Sequence, residues 1–243
     1  MVSLKHSAEV LLSLLLLGGA VQSCSLGDDD LMASYAGTYT GKYNAIVTVK
    51  QNEEGKPFFQ LDESITLEPV GWENPFKTET RAFLNYTELP DAGTICPKTV
   101  RVDEIEEILT LKAVTRKTPV NDFGKQNDPL VITNDWMTCF EDGFITVHIA
   151  APFEAEPETL DYSLEVDPSN PLEFYFKHYR NGESGKTWKE FIVAFDVREF
   201  LPEAGEDYVA NLHVYSYYGF LSIPFPSTRK WTLGGGTTDG REV

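Results

Sequence analysis

From Tyr39 to about Leu233 the chain is an almost unbroken series of short runs rich in β-branched and aromatic residues, each closed by Gly, Pro, Asn or Asp. Branched and aromatic side chains fit a pleated, half-buried surface, and the closing residues supply turn geometry, so the runs read as strands. In "YNAIVTVKQ", residues 43–51, Ala45, Val47 and Val49 alternate with Ile46, Thr48 and Lys50, the period of two expected of a strand. "PFFQLDESITL", "RAFLNYTEL" and "TVRVDEIEEILTLKAV" continue the series. In the last of these Val102, Ile105 and Ile108 stand three apart, which suits a helical turn and a bulged strand equally.

Across residues 118–129 the pattern breaks. "TPVNDFGKQNDP" holds two prolines, a glycine, two asparagines and two aspartates, the composition of a linker. Strands then resume in pairs around turn signals. "WMTCF" and "FITVHIA" flank Glu141-Asp142-Gly143, "LEFYFKHYR" and "KEFIVAFDV" flank Asn181-Gly182, and "NLHVYSY" and "FLSIPF" flank Tyr218-Gly219. Glycine supplies the positive φ of tight hairpins, so each pair is expected to be an antiparallel joint. Many short strands at regular spacing argue for sandwiches or barrels. The expected organisation is a β domain over 36–117, a second over 118–233 and a flexible tail over 234–243, with no repeat of fixed period.

The N-terminus is of another kind. Lys5 precedes an apolar run, 10–21, interrupted only by Ser13 and the glycines. The run falls short of the ~20 apolar residues that cross a bilayer and has the form of a secretory signal core, giving a signal peptide over 1–23. It ends at Val21-Gln22-Ser23-Cys24, which resembles a bacterial lipobox, although Gln22 replaces the usual small residue. Cys24 is thus the expected lipidation site. Acyl chains contribute about 0.8 kcal/mol per buried methylene, and more than one is needed for lasting attachment. The tether, 24–35, carries Asp28, Asp29 and Asp30. This acidic run resembles the export signal of Bacteroidota lipoproteins, which implies an outer-membrane, cell-surface location.

The formal charge of the full chain is −18. Loss of 1–23 removes one Lys and one Glu and leaves it unchanged. A surface this acidic repels phosphate backbones, so nucleic acid is not an expected partner. The compartment permits disulfides, but Cys96 and Cys139 lie forty-three positions apart in different expected domains, and two buried free thiols are the expectation. No metal-ligand spacing such as CxxC or HxxxH occurs, and neither a metal nor a cofactor is expected.

No GxSxG or HExxH is present, and His148, His178 and His213 fall on separate expected strands, so no catalytic residues are assigned. His178 shares a face with Phe174 and Phe176, as a structural histidine does. The pairs Asp103/Glu104 and Glu106/Glu107 read as a solvated face. The feature suited to binding is aromatic. "HVYSYYGF" places Tyr215 and Tyr217 on one strand face, with Tyr218 and Phe220 at the turn, and Trp72 sits in the loop-like "VGWENP". Trp72, Tyr215, Tyr217 and Tyr218 are the candidate ligand-binding residues, set against the alternative that they fill the core.

The order of these features resembles the NigD-like lipoproteins of Bacteroidota. The resemblance is carried by the stretch from Cys24 to Asp30, by "AFLNYTEL" and "VRVDEIEEILT", and above all by "NDPLVITNDWMTCFEDGFITVHIA" and "LEFYFKHYRNG…FIVAFDVREF". It implies an all-β fold, a small OB-like barrel followed by an antiparallel β-sandwich, and no established catalytic residues. The expected function is that of a non-enzymatic, lipid-anchored surface module that binds or protects, with a bacteriocin or surface protein as partner in an immunity-type role. The alternative is a glycan-binding accessory lipoprotein of a polysaccharide-uptake system.

Overall fold

The computed structural model describes residues 42–90, 97–117, 127–133, 135–153, 161–179, 187–203 and 207–227. All belong to one compact unit, Tyr35–Val243. The signal segment, the tether with Cys24 and Asp28–Asp30, Cys96, the Asn181-Gly182 loop and the tail lie outside the described residues.

The first five strands, β1 (Ala45–Gln51), β2 (Pro57–Gln60), β3 (Thr66–Pro69), β4 (Thr80–Glu88) and β5 (Lys98–Glu107), close into a barrel of order β1-β2-β3-β5-β4. All neighbours are antiparallel except β3 and β5. Alternation decides what fills it. Ala45, Val47 and Val49 from β1 meet Ala82, Leu84 and Tyr86 from β4, with Phe59, Leu67 and Val100 completing the interior. The ambiguous "VRVDEIEE" is a bulged strand. Asn85 pairs with Glu104 and Tyr86 with Val102, which leaves Asp103 as the extra residue. Asp103, Glu104, Glu106 and Glu107 are all exposed.

The second half is a two-sheet sandwich. One sheet runs β6 (Thr110–Lys112), β13 (Thr187–Asp196), β10 (Phe144–Phe153), β8 (Val131–Ile132), with β9 (Cys139–Glu141) also on β10. The other runs β15 (Gly219–Pro226), β14 (Val209–Ser216), β12 (Asn170–Tyr179), β11 (Asp161–Asp167), β7 (Val114–Thr115). Ile145, Val147, Val193 and Phe195 of the first sheet face Leu164, Phe174, Phe176, Leu212 and Val214 of the second across one core. Pairing is antiparallel except at β6–β13, β7–β11 and β12–β14.

Two features differ from the sequence reading. First, "LEFYFKHYR" and "KEFIVAFDV" do not form a hairpin: β12 and β13 lie in opposite sheets. A glycine-containing loop permits either geometry, and strand pattern alone does not choose between them. Second, β6 and β7 fall inside the segment assigned to the first domain, yet they pair with sandwich strands β13 and β11. The last paired strand of the barrel ends at Glu107.

The other two turns behave as expected. Glu141 pairs with Phe144 across Asp142-Gly143, with φ of 51° and 75°, the two consecutive positive angles of a type I′ turn. Ser216 pairs with Gly219 across Tyr217-Tyr218, and the positive φ falls on Gly219 at 106°.

The barrel seats on the outward face of the first sandwich sheet. β1 and β4 bury both faces, one in the barrel and one at this seam. Ile46 and Phe83 pack with Tyr43, Ile108, Met137, Cys139 and Ala194. Arg81 and Thr48, partners in the β1–β4 register, turn the same way.

Candidate binding surface and the seam behind it

The outward face of the second sheet is built by parity. Along β14, Ala210, Leu212 and Val214 enter the core, so Asn211, His213 and Tyr215 point away from it. Along β12 the same rule turns Glu173, Tyr175 and Lys177 outward. Neighbouring strands bring these into a transverse row. The His213 ring stacks on Tyr175 at a centroid distance of 4.5 Å on one side and on Phe220 at 5.3 Å on the other. The Arg116 guanidinium lies 4.3 Å from the Tyr175 ring centre. Glu173 accepts from Asn211 Nδ2 at 2.9 Å and is hydrogen-bonded to His213 Nε2. Lys177 pairs with Glu165 at 2.8 Å. Burial, with the nearby Asp167 and Glu173 carboxylates adding to it, pushes the Tyr175 phenol up.

At the end of this row the β14–β15 hairpin presents Tyr217, Tyr218 and Phe220, which are 44%, 61% and 53% exposed. Side chains this large are mostly buried, so three at one turn form a contact feature. Tyr217 lies 5.6 Å from the Trp188 ring with the planes 59° apart. Of the four residues singled out in the sequence, Tyr215 is half-buried on the outward face and pairs with Phe220, while Tyr217 and Tyr218 form the turn itself. Trp72 is placed elsewhere. It packs half-buried against Phe59 of the barrel, ring centres 5.0 Å apart. Glu173, Asn211 and Trp188 were not singled out. The i, i+2 spacing of Asn211, His213 and Tyr215 is the signal that would have drawn attention to the row.

The three histidines among the described residues occupy unrelated settings. His178 is buried and stacks on Tyr162 at 5.4 Å, and burial pushes the Tyr162 phenol up. His148 is buried with Nδ1 2.8 Å from Asp135 Oδ2 and Nε2 3.6 Å from Glu190 Oε2.

Behind the sandwich, the seam carries ion pairs between barrel and sandwich. Arg81, 1% exposed, donates to Glu141 Oε2 at 2.9 Å and to Thr48 Oγ1 at 3.2 Å. Cys139 is a buried free cysteine, its sulfur 3.8 Å from Arg81 Nη2 and 3.7 Å from Glu141 Oε2. Burial pushes its thiol up, with Glu141 adding to the effect, so it is inert as a nucleophile. Lys50 reaches Asp142 at 2.7 Å. Arg198 pairs with Glu79 and, at 2.6 Å, with Asp196. Of these partners, Lys50, Glu79 and Arg81 come from the barrel half, and Glu141, Asp142 and Arg198 from the sandwich.

Comparison with known proteins agrees with this architecture. The NigD-like N-terminal OB domain matches residues 46–108, and the NigD-like C-terminal beta sandwich domain matches residues 113–226. No curated protein matches the sequence. Among solved structures, a protein described as "Putative TOXIN related protein", from Parabacteroides distasonis ATCC 8503, aligns with TM-score 0.60 at 20% identity, covering 75% of this chain and 91% of its own. A protein of unknown function from Bacteroides vulgatus ATCC 8482 aligns with TM-score 0.59 at 18% identity, covering 82% and 94%. A NigD-like immunity protein from Bacteroides caccae ATCC 43185 aligns with TM-score 0.51 at 16% identity, covering 74% and 90%. At these identities the likeness is one of fold. The two domain matches adjoin and together span most of the chain, and the barrel and sandwich they describe are those seen here: this protein belongs to the NigD-like family.

Proposed function

We propose that this protein is a non-catalytic binding module, anchored through lipid on Cys24 to the outer membrane and displayed at the cell surface, whose partner is a protein met in an immunity-type role. The observation that carries the reading is the exposed aromatic turn of Tyr217, Tyr218 and Phe220 at the end of a polar-aromatic sheet face. Aromatic side chains give large contact area at low entropic cost and are enriched where protein surfaces meet. A chain of net charge −18 favours a partner with a basic surface, which it would steer toward itself. The immunity role draws on the family and on this chain's similarity in fold to the NigD-like immunity protein from Bacteroides caccae. The anchor draws on the apolar run ending at Cys24 and on the Asp28, Asp29 and Asp30 that follow. No helix among the described residues is long and apolar enough to cross a membrane.

The second reading, a glycan-binding accessory lipoprotein, is favoured by the two exposed tyrosines. Against it, the Trp188–Tyr217 planes are tilted by 59°, where a sugar platform asks for coplanar rings. Two experiments test the proposal. Mass spectrometry of the native N-terminus should find acylated Cys24, and an unprocessed or unacylated end refutes the anchor. Cells lacking the gene should become sensitive to a protein toxin and recover with the wild-type chain but not with Tyr218→Ala. Unchanged sensitivity, together with Tyr218-dependent binding of a polysaccharide, would establish the second reading instead.

A further inference from the structure

On the outward face of the second sheet the carboxylates are compensated unequally. Glu165 pairs with Lys177 at 2.8 Å and lies 3.8 Å from Arg116 Nε. Glu173 has no lysine or arginine paired with it among the described residues. Its Oε1 accepts from Asn211 Nδ2 at 2.9 Å and from Asn170 Nδ2 at 3.4 Å, and its Oε2 is hydrogen-bonded to His213 Nε2. The other ring nitrogen, His213 Nδ1, is buried with no acceptor among the described residues, which suits a neutral imidazole that donates from Nε2. Neutral donors thus fix the carboxylate in place without cancelling its charge. The Glu173 side chain is 23% exposed, so a partner can reach it.

The approach to that charge is apolar. In the ladder Glu173 stands beside Asn211, and Asn211 beside Pro224, a line from the middle of the sheet to β15. Pro224 is exposed, and Val209, two places before Asn211 on the same face, is 46% exposed. Lysine and arginine lay their methylenes along apolar surface while the charged head seeks its counterion. An exposed valine and proline leading to an uncompensated carboxylate match such a side chain. An acidic group is repelled by Glu173, and a neutral one leaves its charge unmet.

We propose, resting on the protein-binding reading of this face, that Glu173, Val209 and Pro224 receive one basic side chain of the partner, its methylenes on Val209 and Pro224 and its cationic head against the Glu173 carboxylate.

The test uses the mature chain, 15N-labelled, titrated with N-acetyl-arginine-N′-methylamide, with N-acetyl-citrulline-N′-methylamide as a neutral control of nearly the same shape. The arginine probe should shift the side-chain amide of Asn211 and the backbone amides of Glu173 and Val209. The citrulline probe should bind about fivefold more weakly, the upper worth of one exposed ion pair. Glu173→Gln, which keeps an acceptor for its neighbours, should abolish that preference. Val209→Thr should weaken the arginine titration about threefold, and the amide spectrum elsewhere reports that the fold is kept. Equal responses to the two probes overturn the proposal. So do arginine shifts as large at exposed Glu107 on the barrel as at Glu173, which would report the general negative charge alone. The toxin-sensitivity assay separates this site from the reading beneath it. If Tyr218→Ala fails to protect while Glu173→Gln protects fully, the basic side chain is refuted and the protein-binding reading stands. If loss of the gene leaves sensitivity unchanged, that reading falls and takes the partner with it, even where the probe binds.

Discussion

The side chain of Arg198 lies directly across Gly143. A Cβ built on Gly143 would sit 2.2 Å from Arg198 Cγ and 2.9 Å from Cδ, and the glycine has a φ of 75°. One residue without a side chain therefore meets two demands. It completes the type I′ turn, and it lets the arginine stem pass over the backbone to reach Glu79 in the barrel. Substituting Gly143→Ala should destabilise the protein by about 1–3 kcal/mol, from the positive φ and from displacement of the arginine. In the Arg198→Ala background the same substitution should cost less, because the stem is gone. Chemical denaturation of the four variants reads this as a coupling energy, and simple additivity would contradict the relationship.

Removing Arg81 should cost far more than its sequence context suggests. Arg81→Ala strands Glu141 at the seam and is expected to cost about 3–5 kcal/mol, the range for breaking a buried pair from one side. Glu141→Gln should cost less, since the amide still accepts from Arg81. Urea titration of the two variants measures the difference, and equal midpoints would refute it.

Acid should loosen the molecule through Asp196. Its hydrogen bonds to Arg198 hold the carboxyl below the usual carboxylate range, so the folded chain binds this proton less tightly than the unfolded one. The stability it contributes is present above the ordinary value of 3.8 and is lost as pH falls through the depressed one. Glu141 works in the other sense. Burial pushes its carboxyl up despite Arg81, so its contribution grows on acidification. The melting temperature of Asp196→Asn should fall less between pH 6 and pH 3 than that of the wild type, and that of Glu141→Gln should fall more.

Among the described residues β15 is an edge strand, and its own sequence protects that edge. Ser227 N donates to Tyr208 O at 2.8 Å, which fixes the alternation of the ladder and turns the backbone of Ser222, Pro224 and Pro226 away from β14. The two prolines therefore remove two donors from the unpaired side, a device that blocks edge-to-edge pairing. Replacing both by threonine should raise the mean mass seen by analytical ultracentrifugation at high concentration. An unchanged distribution would refute this role.

Replacing Tyr218 by Ala should leave stability within about 0.5 kcal/mol, as for a surface side chain away from special features. A larger loss by calorimetry would mean that the turn is structural rather than a contact surface.

Much of the fold is legible in the sequence because period-two alternation is a local property. Ala45, Val47 and Val49 announce the barrel strand, and Asp142-Gly143 announces the β9–β10 turn of the sandwich. What is not legible is relational. Nothing near Arg81 signals that a second domain covers it, since an arginine on the outer face of a strand ordinarily meets water. Nothing in "VGWENP" reveals that Trp72 leans on Phe59 rather than facing a ligand. At the aromatic turn, "SYYG" marks the bend, but alternation carried one step too far puts Tyr217 on the strand face, whereas β14 ends at Ser216.

The placement of β6 and β7 bears on how such a protein can be inherited. Directly after the barrel closes, the six residues from Thr110 to Thr115 give one strand to each sandwich sheet, β6 against β13 and β7 against β11. A gene cut at the proline-rich break would hand both border strands to the wrong fragment, and the remaining sandwich would expose the flanks of β13 and β11. Shuffling at that point would yield two defective pieces, so the halves are expected to travel together through evolution as a single unit.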